Sequence, residues 1–391
     1  MTVCQSSSAV KDATDCSSPI NCLFIVPSLK RAGAESQLID LVNRLDSAQF
    51  RKTVVVLENN LDQMEELDLQ SVEVVSLPKQ SRFDWRQVHK ISELIDALGI
   101  DIVHATIQYS VFIAWMARLG SRRSPKLVAA IHTTKNVGLK EEMFDRLLYR
   151  WILGRCEHVV FVCEHQRSYW ISRFSELRSN SSVIYNGVDP TIYQREDHWQ
   201  PGRDLLKSSG VPDDHFVVSC IAGFRKEKGH GVLIEAFSRL PPNASLMLAG
   251  DGVMRARIEE LVSSRGIGER VHFLGNLPDV RPLLAVSDVT VLASTAVETF
   301  SMAMLESLSM KVPVVASDIG GLGEAIEQGV TGCLVPPGCV EELEKAMAGF
   351  MSAEDLSVIR NNCREVILDR FTSDDMVSAT ETCLLRVSAG Q

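Results

Sequence analysis

The chain has no long apolar run, no closely spaced cysteine pair and no Asp-x-Asp motif, and each absence excludes a class of protein or site. No apolar run approaches the roughly 18 residues of a membrane-spanning helix, so no transmembrane helix is predicted. The 10 cysteines include no Cys-x-x-Cys pair, which argues against structural zinc. Several, including Cys22, Cys163 and Cys220, lie in apolar runs, so we expect reduced, buried thiols in a cytosolic protein. Without Asp-x-Asp, neither a metal clamp nor a cofactor is predicted.

The length of the chain and its alternating segments predict two α/β domains. At 391 residues the chain is too long for one ordinary core. Strand-like segments alternate with helical ones, which is typical of doubly wound parallel sheets, and we place the domains at residues 20–190 and 191–371. Residues 1–19 are polar and Ser-rich without an apolar segment, so they are predicted to form a disordered tail rather than a signal peptide.

Residues 289–328 carry most of the chemistry in this sequence. They predict a buried strand at 289–294, a helix at about 301–310 and a second strand at 312–317, after which Gly320-Gly321 is expected to lead into another helix. Parallel sheets bind ligands beyond the carboxyl ends of their strands. The loop between the first strand and the helix is therefore a candidate binding site.

Two carboxylates flank the start of this helix. Glu298 lies just past the strand, and Glu306 lies one to two turns into the helix. Between them, the amides of Phe300, Ser301 and Met302 are expected to be free donors, which suits an anionic group. A ligand with hydroxyls and phosphates would match, because carboxylates accept from hydroxyls and amides donate to phosphate. The alternative is a solvated helix with two surface glutamates.

Other candidate ligand groups also stand beyond predicted strands. Arg225 and Lys228 follow the apolar run at 216–221, so they can place positive charge over a diphosphate. Gly33 stands where a loop enters a helix, and a small residue there lets the backbone approach a ligand closely.

Two histidines are predicted at strand ends of the first domain. His104 and His132 both follow apolar runs, which would place them at the ligand-binding edge of the sheet, unlike the other seven histidines. A ring at that edge can donate a hydrogen bond to a ligand or accept one from it. A structural histidine remains the alternative for each of them.

The pattern around the two glutamates resembles the nucleotide-sugar signature of the group 1, or family 4, glycosyltransferases. Glu298 and Glu306 are separated by seven residues and are followed by Pro313 to Asp318 and by Gly320 to Glu324. The resemblance extends from about Asn21 to about Phe371. Further matching segments are the loop with Ala32, Gly33 and Glu35, the stretch His132-Thr133-Thr134, the stretch Ser182 to Asp189, and the stretch Phe273 to Val280.

This resemblance implies the GT-B fold, in which two Rossmann-like, doubly wound domains face each other across a cleft. It implies that the first domain binds the acceptor, that the second binds a nucleotide diphosphate sugar, and that the final helix, within residues 372–391, packs back on the first domain. The reaction would move a hexose-type sugar to a hydroxyl of a glycan or glycolipid with retention of anomeric configuration. We expect this to serve surface polysaccharide or lipopolysaccharide assembly.

The resemblance also implies roles for single residues. Glu298 would hold the donor sugar and Glu306 the ribose, while the segment with Leu274 would lie beside the base. Gly33 would let the first domain approach the donor, and His132 would line the crevice between sugar and acceptor.

A further set would hold the diphosphate. Lys228 and the amides of residues 300–302 would contact it as negative charge grows on the leaving group. Family members usually have an arginine where this chain has Gly223, so Arg225 is expected to supply that charge from two residues further on.

Several alternatives stay open at this point. The donor is a UDP-, GDP- or ADP-sugar, the acceptor is a glycan or a lipid-linked molecule, and no nucleic-acid partner is predicted. A nucleotide-sugar 2-epimerase shares the fold, although the pair of glutamates together with Lys228 favours a transferase. A non-catalytic nucleotide-sugar-binding protein is the other alternative, because Gly223 replaces the usual arginine.

A basic cluster in the first domain suggests a surface for a membrane. Arg118, Arg122, Arg123 and Lys126 follow the apolar stretch at 112–116. Such a combination can seat a domain on an anionic lipid surface, whereas a solvated helix end is the alternative. We therefore predict a cytoplasmic protein, with peripheral contact to the cytoplasmic face of the inner membrane as an option.

Overall fold

The computed structural model describes residues 18–80, 84–134 and 148–390. The predicted tail at residues 1–19 lies almost entirely outside the described residues. The described part contains a seven-stranded and a six-stranded sheet, each with helices packed on both faces. The predicted α/β class with two doubly wound domains is confirmed.

The first sheet is entirely parallel and buried on both faces. Its strands are β1 (Ile20–Val26), β2 (Phe50–Val56), β3 (Val72–Ser76), β4 (Ile102–Thr106), β5 (Lys126–Ile131), β6 (His158–Phe161) and β7 (Ser181–Val183). Its helices are α1 (Gly33–Arg44), α2 (Trp85–Leu98), α3 (Gln108–Gly120), α4 (Arg150–Leu153) and α5 (Glu164–Arg173). The strands run in the order β3-β2-β1-β4-β5-β6-β7. Helices on both faces explain why β1 is apolar from Cys22 to Val26: Leu23 and Ile25 pack on one side, Phe24 and Val26 on the other.

The second sheet is also parallel. Its strands are β8 (Phe216–Ile221), β9 (Ala244–Ala249), β10 (Val271–Gly275), β11 (Val289–Leu292), β12 (Val314–Ser317) and β13 (Gly332–Val335). Its helices are α6 (Trp199–Ser208), α7 (His230–Ser238), α8 (Arg255–Ser264), α9 (Arg281–Val286), α10 (Met302–Ser309), α11 (Val340–Met351) and α12 (Ser357–Arg370). The strand order is β10-β9-β8-β11-β12-β13.

In each sheet the strand order reverses at one point, between β1 and β4 in the first and between β8 and β11 in the second. The connections then leave the sheet in opposite directions, which opens a crevice at the carboxyl ends of those strands. The loops after β8 and β11 carry Lys228 and Glu298. The fold thus joins two residues that lie 70 positions apart in the chain.

The final helix, α13 (Ser373–Ala389), packs on the first domain. It begins with a capping box, in which the Thr372 side chain accepts from the amide of Asp375 and the Asp375 carboxylate accepts from the amide of Thr372. Its apolar face, including Leu384 and Val387, joins the cluster formed by Phe24 and its neighbours. The chain therefore crosses to the second domain and returns.

Two local predictions were wrong. His104 does not end a strand, because β4 continues through Thr106, which pairs with Ala130. His104 is instead buried inside the sheet against Phe24, with 5.3 Å between ring centroids. After Gly321 there is no α-helix but one 3-10 turn at Leu322–Glu324, because the chain must soon return as β13.

Two of the four residues in the predicted basic cluster have partners within the protein. Arg118 forms an ion pair with Glu157 at 2.7 Å, and the Nζ of Lys126 donates to the last carbonyls of α13. A lysine at a helix C-terminus satisfies carbonyls that lack partners in the helix, so Lys126 has a structural role. Arg122 and Arg123 remain exposed.

Candidate active site

A charged pair joins the two loops at the carboxyl edge of the second sheet. The Nζ of Lys228 lies 2.7 Å from Oε2 of Glu298, and only 17% and 10% of the two side chains are exposed. The Ser294 hydroxyl donates to the same carboxylate oxygen at 2.8 Å. A cation and a hydroxyl thus fix the orientation of Glu298, and its Oε1 makes no hydrogen bond within the described part of the chain. Ser294, which lies two residues past the end of β11, was not predicted as a site residue.

Two glycines with left-handed backbones let the neighbouring loops pack closely against the backbone around Glu298. Gly229 directly follows Lys228 with φ of 67°, and a Cβ built on it would lie 1.9 Å from the carbonyl oxygen of Ala293. Gly320 has φ of 62°, and its Cβ would lie 2.1 Å from the carbonyl oxygen of Glu298. Because a side chain fits neither the conformation nor the space, both positions require glycine.

The start of α10 lies beside this pair. The Ser301 hydroxyl caps the helix by accepting from the amide of Met304 at 3.4 Å. The amides of Phe300, Ser301 and Met302 have no hydrogen-bond partner among the described residues, as the sequence predicted for an anion site. A Cβ on Gly33 would lie 3.0 Å from Cγ of Met302, so the N-termini of α1 and α10 meet across the cleft. Two helix N-termini at one point favour negative charge.

Glu306 lies one turn further along α10 in a less polar setting. Its Oε1 accepts from the hydroxyl of Tyr193 at 3.1 Å. Burial raises the pKa of Glu306, and the hydrogen bond from Tyr193 and the charge of Arg281 act in the opposite direction. Asp279, whose charge also raises that pKa, pairs with Arg281 at 2.8 Å.

Arg225 and Leu274 lie apart from the Lys228–Glu298 pair. The Nε of Arg225 lies 3.2 Å from a carboxylate oxygen of Glu227, and 60% of the arginine side chain is exposed. Its guanidinium therefore makes no contact with Glu298 in this conformation. Leu274 lies in β10 at the edge of the sheet, two strands from β8, and packs beside Leu277.

The first domain reaches the site through the residues that follow β5. The backbone N and Oγ1 of Thr134 lie 3.2 and 3.1 Å from Oγ1 of Thr299, the neighbour of Glu298. His132 comes two residues before Thr134, at the same edge. Burial lowers the pKa of His132 to about 4. Its imidazole is therefore neutral near pH 7, which excludes a role as a cation but leaves it able to form hydrogen bonds.

We expect His132 to remain uncharged across the physiological range. NMR of the imidazole resonances, assigned with the His132→Gln variant, should show no titration of this ring between about pH 5 and 8. The physical reason is that protonation would place a charge in a desolvated position. A midpoint near the ordinary value of about 6.5 would contradict the assignment.

Glu324 forms a contact between the two domains that was not predicted from the sequence. Its carboxylate oxygens accept from the backbone amides of Glu164 and His165, at 2.9 and 2.8 Å. These amides begin α5 of the first domain, so a carboxylate of the second domain caps that helix. The hydroxyl of Tyr185 donates to the same carboxylate at 2.8 Å. The Gly320-to-Glu324 motif contains this residue, but the motif alone does not indicate its partner.

Within residues 18–80, 84–134 and 148–390, no cluster of three or more His, Cys, Asp or Glu side chains has a geometry that could hold a metal ion. In the same ranges, no helix combines the length and the apolar character that crossing a membrane requires.

Family models match both halves of the chain, and curated relatives match most of its length. Residues 31–192 match the family described as Glycosyltransferase Family 4, and residues 203–366 match the family described as Glycosyl transferases group 1. The N-acetyl-alpha-D-glucosaminyl L-malate synthase of Bacillus anthracis is 28% identical over 308 residues, covering 77% of this chain and 78% of that enzyme. The O-antigen biosynthesis glycosyltransferase WclY of Escherichia coli is 22% identical, covering 78% of this chain and 82% of that protein.

A solved structure supports the fold. The Anabaena protein HepE in complex with UDP and glucose superimposes with a TM-score of 0.83 at 24% identity, over 93% of this chain and 99% of that protein. The GT-B architecture is confirmed by this likeness and by the two parallel sheets. Since the two family matches together span most of both domains, the chain belongs to the group 1, or family 4, glycosyltransferases.

Proposed function

We propose that this protein transfers a hexose-type sugar from a nucleotide diphosphate sugar to a hydroxyl of a glycan or lipid-linked acceptor, with retention of configuration and without a metal ion. The Lys228–Glu298 pair beside the free amides of α10 is the observation that carries this proposal. It places a cation, an oriented carboxylate and helix dipole charge within one crevice. A sugar with hydroxyls on one side and a diphosphate on the other complements that set.

In the proposed reaction, the bond between C1 of the sugar and the diphosphate oxygen breaks, and a bond from C1 to the acceptor oxygen forms on the same face. Lys228 and the amides of residues 300–302 stabilise the negative charge that grows on the diphosphate. Stabilisation that exists mainly in the transition state accelerates the chemical step. The acceptor proton passes to a phosphate oxygen of the donor, so no side chain is required as a general base.

The names of the similar proteins support the choice of donor class and setting. HepE was solved with UDP and glucose, which makes a UDP-sugar the first donor to test, ahead of GDP- and ADP-sugars. The similarity to WclY, an O-antigen glycosyltransferase, favours surface polysaccharide or lipopolysaccharide assembly. The similarity to the N-acetyl-alpha-D-glucosaminyl L-malate synthase keeps small hydroxy acids, such as malate, among the acceptors to test.

Thermal stability in the presence of nucleotides tests the donor site. At roughly 100 times the dissociation constant, a ligand adds about 2.7 kcal/mol to the stability of the folded state. We expect one of UDP, GDP and ADP, or its sugar, to raise the melting temperature of the wild type, and Lys228→Ala and Glu306→Ala to abolish that shift. If none of them stabilises the wild type, the donor site is wrong. Binding without transfer or hydrolysis would favour a non-catalytic protein, and an epimerised sugar product would favour a 2-epimerase.

We also propose that the first domain contacts an anionic membrane surface through an exposed aromatic and basic patch. The patch comprises Trp115, Leu119, Arg122, Trp151 and Arg155. The two indole rings pack edge to face at 4.8 Å, and the guanidinium of Arg155 lies 4.0 Å from the Trp151 ring. Leu119 is 63% exposed and lies one turn after Trp115 on α3. Indoles and arginines at one surface match the headgroup region of an anionic bilayer.

Vesicle co-flotation tests this patch. We expect the wild type to float with phosphatidylglycerol-containing vesicles more than with phosphatidylcholine alone, and added salt to weaken the binding. Trp151→Ser should reduce flotation several-fold. Trp199→Ser is a matched control, because Trp199 is similarly exposed, 46% against 43%, but lies on the second domain. Equal flotation of the two variants would contradict the proposal.

A further inference from the structure

Tyr193 lies in the segment that connects the two domains, yet its side chain belongs to the candidate nucleotide site. Its ring is partly buried against Leu284, Met310 and Val312 of the second domain. Its hydroxyl points to Oε1 of Glu306 at 3.1 Å. The ring is thus fixed by packing, and its hydroxyl has one carboxylate partner.

The side chain of Arg364, in the second domain, holds the backbone of this segment. One nitrogen of Arg364 donates to the carbonyls of both Tyr193 and Ser309, each at 2.7 Å, and the other donates to the carbonyl of Pro190 at 2.6 Å. Ser309 is the last residue of α10, the helix that carries Glu306. A single guanidinium therefore ties the connecting segment to the helix, which fixes where the Tyr193 hydroxyl can reach.

The arrangement leaves Glu306 with one engaged and one available oxygen. The hydroxyl of Tyr193 donates to Oε1 of Glu306, whereas Oε2 makes no hydrogen bond to any residue that the structure describes. Arg281, whose charge lowers the pKa of this carboxylate, donates two hydrogen bonds to the carboxylate of Asp279. A half-satisfied carboxylate in a poorly solvated position favours a ligand that brings a hydroxyl donor.

We propose that Tyr193 is a positioning residue for the nucleotide: its hydroxyl turns the Glu306 carboxylate so that the second oxygen receives a ribose hydroxyl. This inference rests on the proposed function, because it assumes a nucleotide diphosphate in the crevice. It adds that a residue of the interdomain connection, and not only Glu306, determines how the ribose is recognised.

Binding of nucleotides and their deoxyribose forms to Tyr193→Phe tests this role. Calorimetry would use whichever of UDP, GDP and ADP binds the wild type, together with its 2′-deoxy and 3′-deoxy forms. Removing a hydrogen bond to a charged group should weaken binding of the ribose form about tenfold. The penalty for the deoxy forms should shrink in the variant, because the carboxylate no longer faces the missing hydroxyl. At saturating donor, kcat should change little, since the contact is equal in the ground and transition states.

Tyr185→Phe is the matched control. Tyr185 also stands at the domain junction and donates to a carboxylate, that of Glu324 at 2.8 Å, so its loss should leave the deoxy penalty intact.

The possible outcomes distinguish failure of the role of Tyr193 from failure of the proposed donor site. If the wild type binds nucleotide but Tyr193→Phe keeps the full deoxy penalty, the role of Tyr193 is wrong and the donor site stands. If the wild type binds none of the three nucleotides, the proposed function fails and the role of Tyr193 fails with it.

Discussion

Lys228→Ala should lower kcat by about 10²- to 10³-fold, which is the usual loss when one stabiliser of a developing negative charge is removed. The variant loses the cation 2.7 Å from Glu298, and it leaves that carboxylate in a nearly buried position with only the Ser294 hydroxyl as partner. An uncompensated carboxylate close to a diphosphate repels it, so the KM for the donor should rise as well. Steady-state kinetics with the donor identified by thermal stabilisation would measure both effects.

Lys226→Ala is the matched control for this variant. Lys226 lies in the same turn, two residues earlier, but it is exposed and makes no ion pair among the described residues. Its removal changes the charge of the loop equally, so we expect kcat to stay within about twofold of the wild type, as for most exposed charges. Similar rates for Lys226→Ala and Lys228→Ala would show that general loop charge, not the pair with Glu298, matters.

Gly320→Ala should strongly destabilise the protein beside the candidate site. A left-handed residue with a side chain costs about 1–2 kcal/mol, and here the Cβ would also lie 2.1 Å from the carbonyl oxygen of Glu298. The chain must shift to relieve that contact, and the shift displaces Glu298. We expect a loss of several kcal/mol, which lowers the melting temperature by roughly 10 °C for a domain of this size. Calorimetry and donor binding would follow the two effects.

Gly329→Ala separates backbone strain from the clash. Gly329 has a similar φ of 73°, but a Cβ built there meets no atom within 4 Å. Strain alone predicts a loss of about 1 kcal/mol with donor binding unchanged, because Gly329 lies away from Glu298. Equal destabilisation by the two substitutions would contradict the account of Gly320.

Residues within continuous motifs were the easiest to predict from the sequence. Glu298, Glu306 and the amides of residues 300–302 lie on one strand-loop-helix segment, so their approximate placement follows from local periodicity. Lys228 was predicted from its position after a strand, but its ion pair with Glu298 depends on β8 and β11 being neighbours.

Contacts between single side chains of distant segments could not be predicted from the sequence. Glu324 caps α5, and Tyr193 engages Glu306, through pairs 160 and 113 positions apart. Arg225 illustrates the converse: it stands near the expected position, yet its guanidinium pairs with Glu227. Spacing cannot settle such orientations, because a long side chain can rotate toward either of two nearby partners.

The sequence by itself determined the two α/β domains, the strand ends that carry the candidate site residues and the small residue at Gly33, because these depend on periodicity and local backbone sterics. Tertiary structure alone decided that Lys228 and Ser294 orient Glu298, and that Tyr193 and Arg364 position Glu306 and its helix. Those arrangements depend on strand order and on packing between distant segments. Local preferences do not encode them.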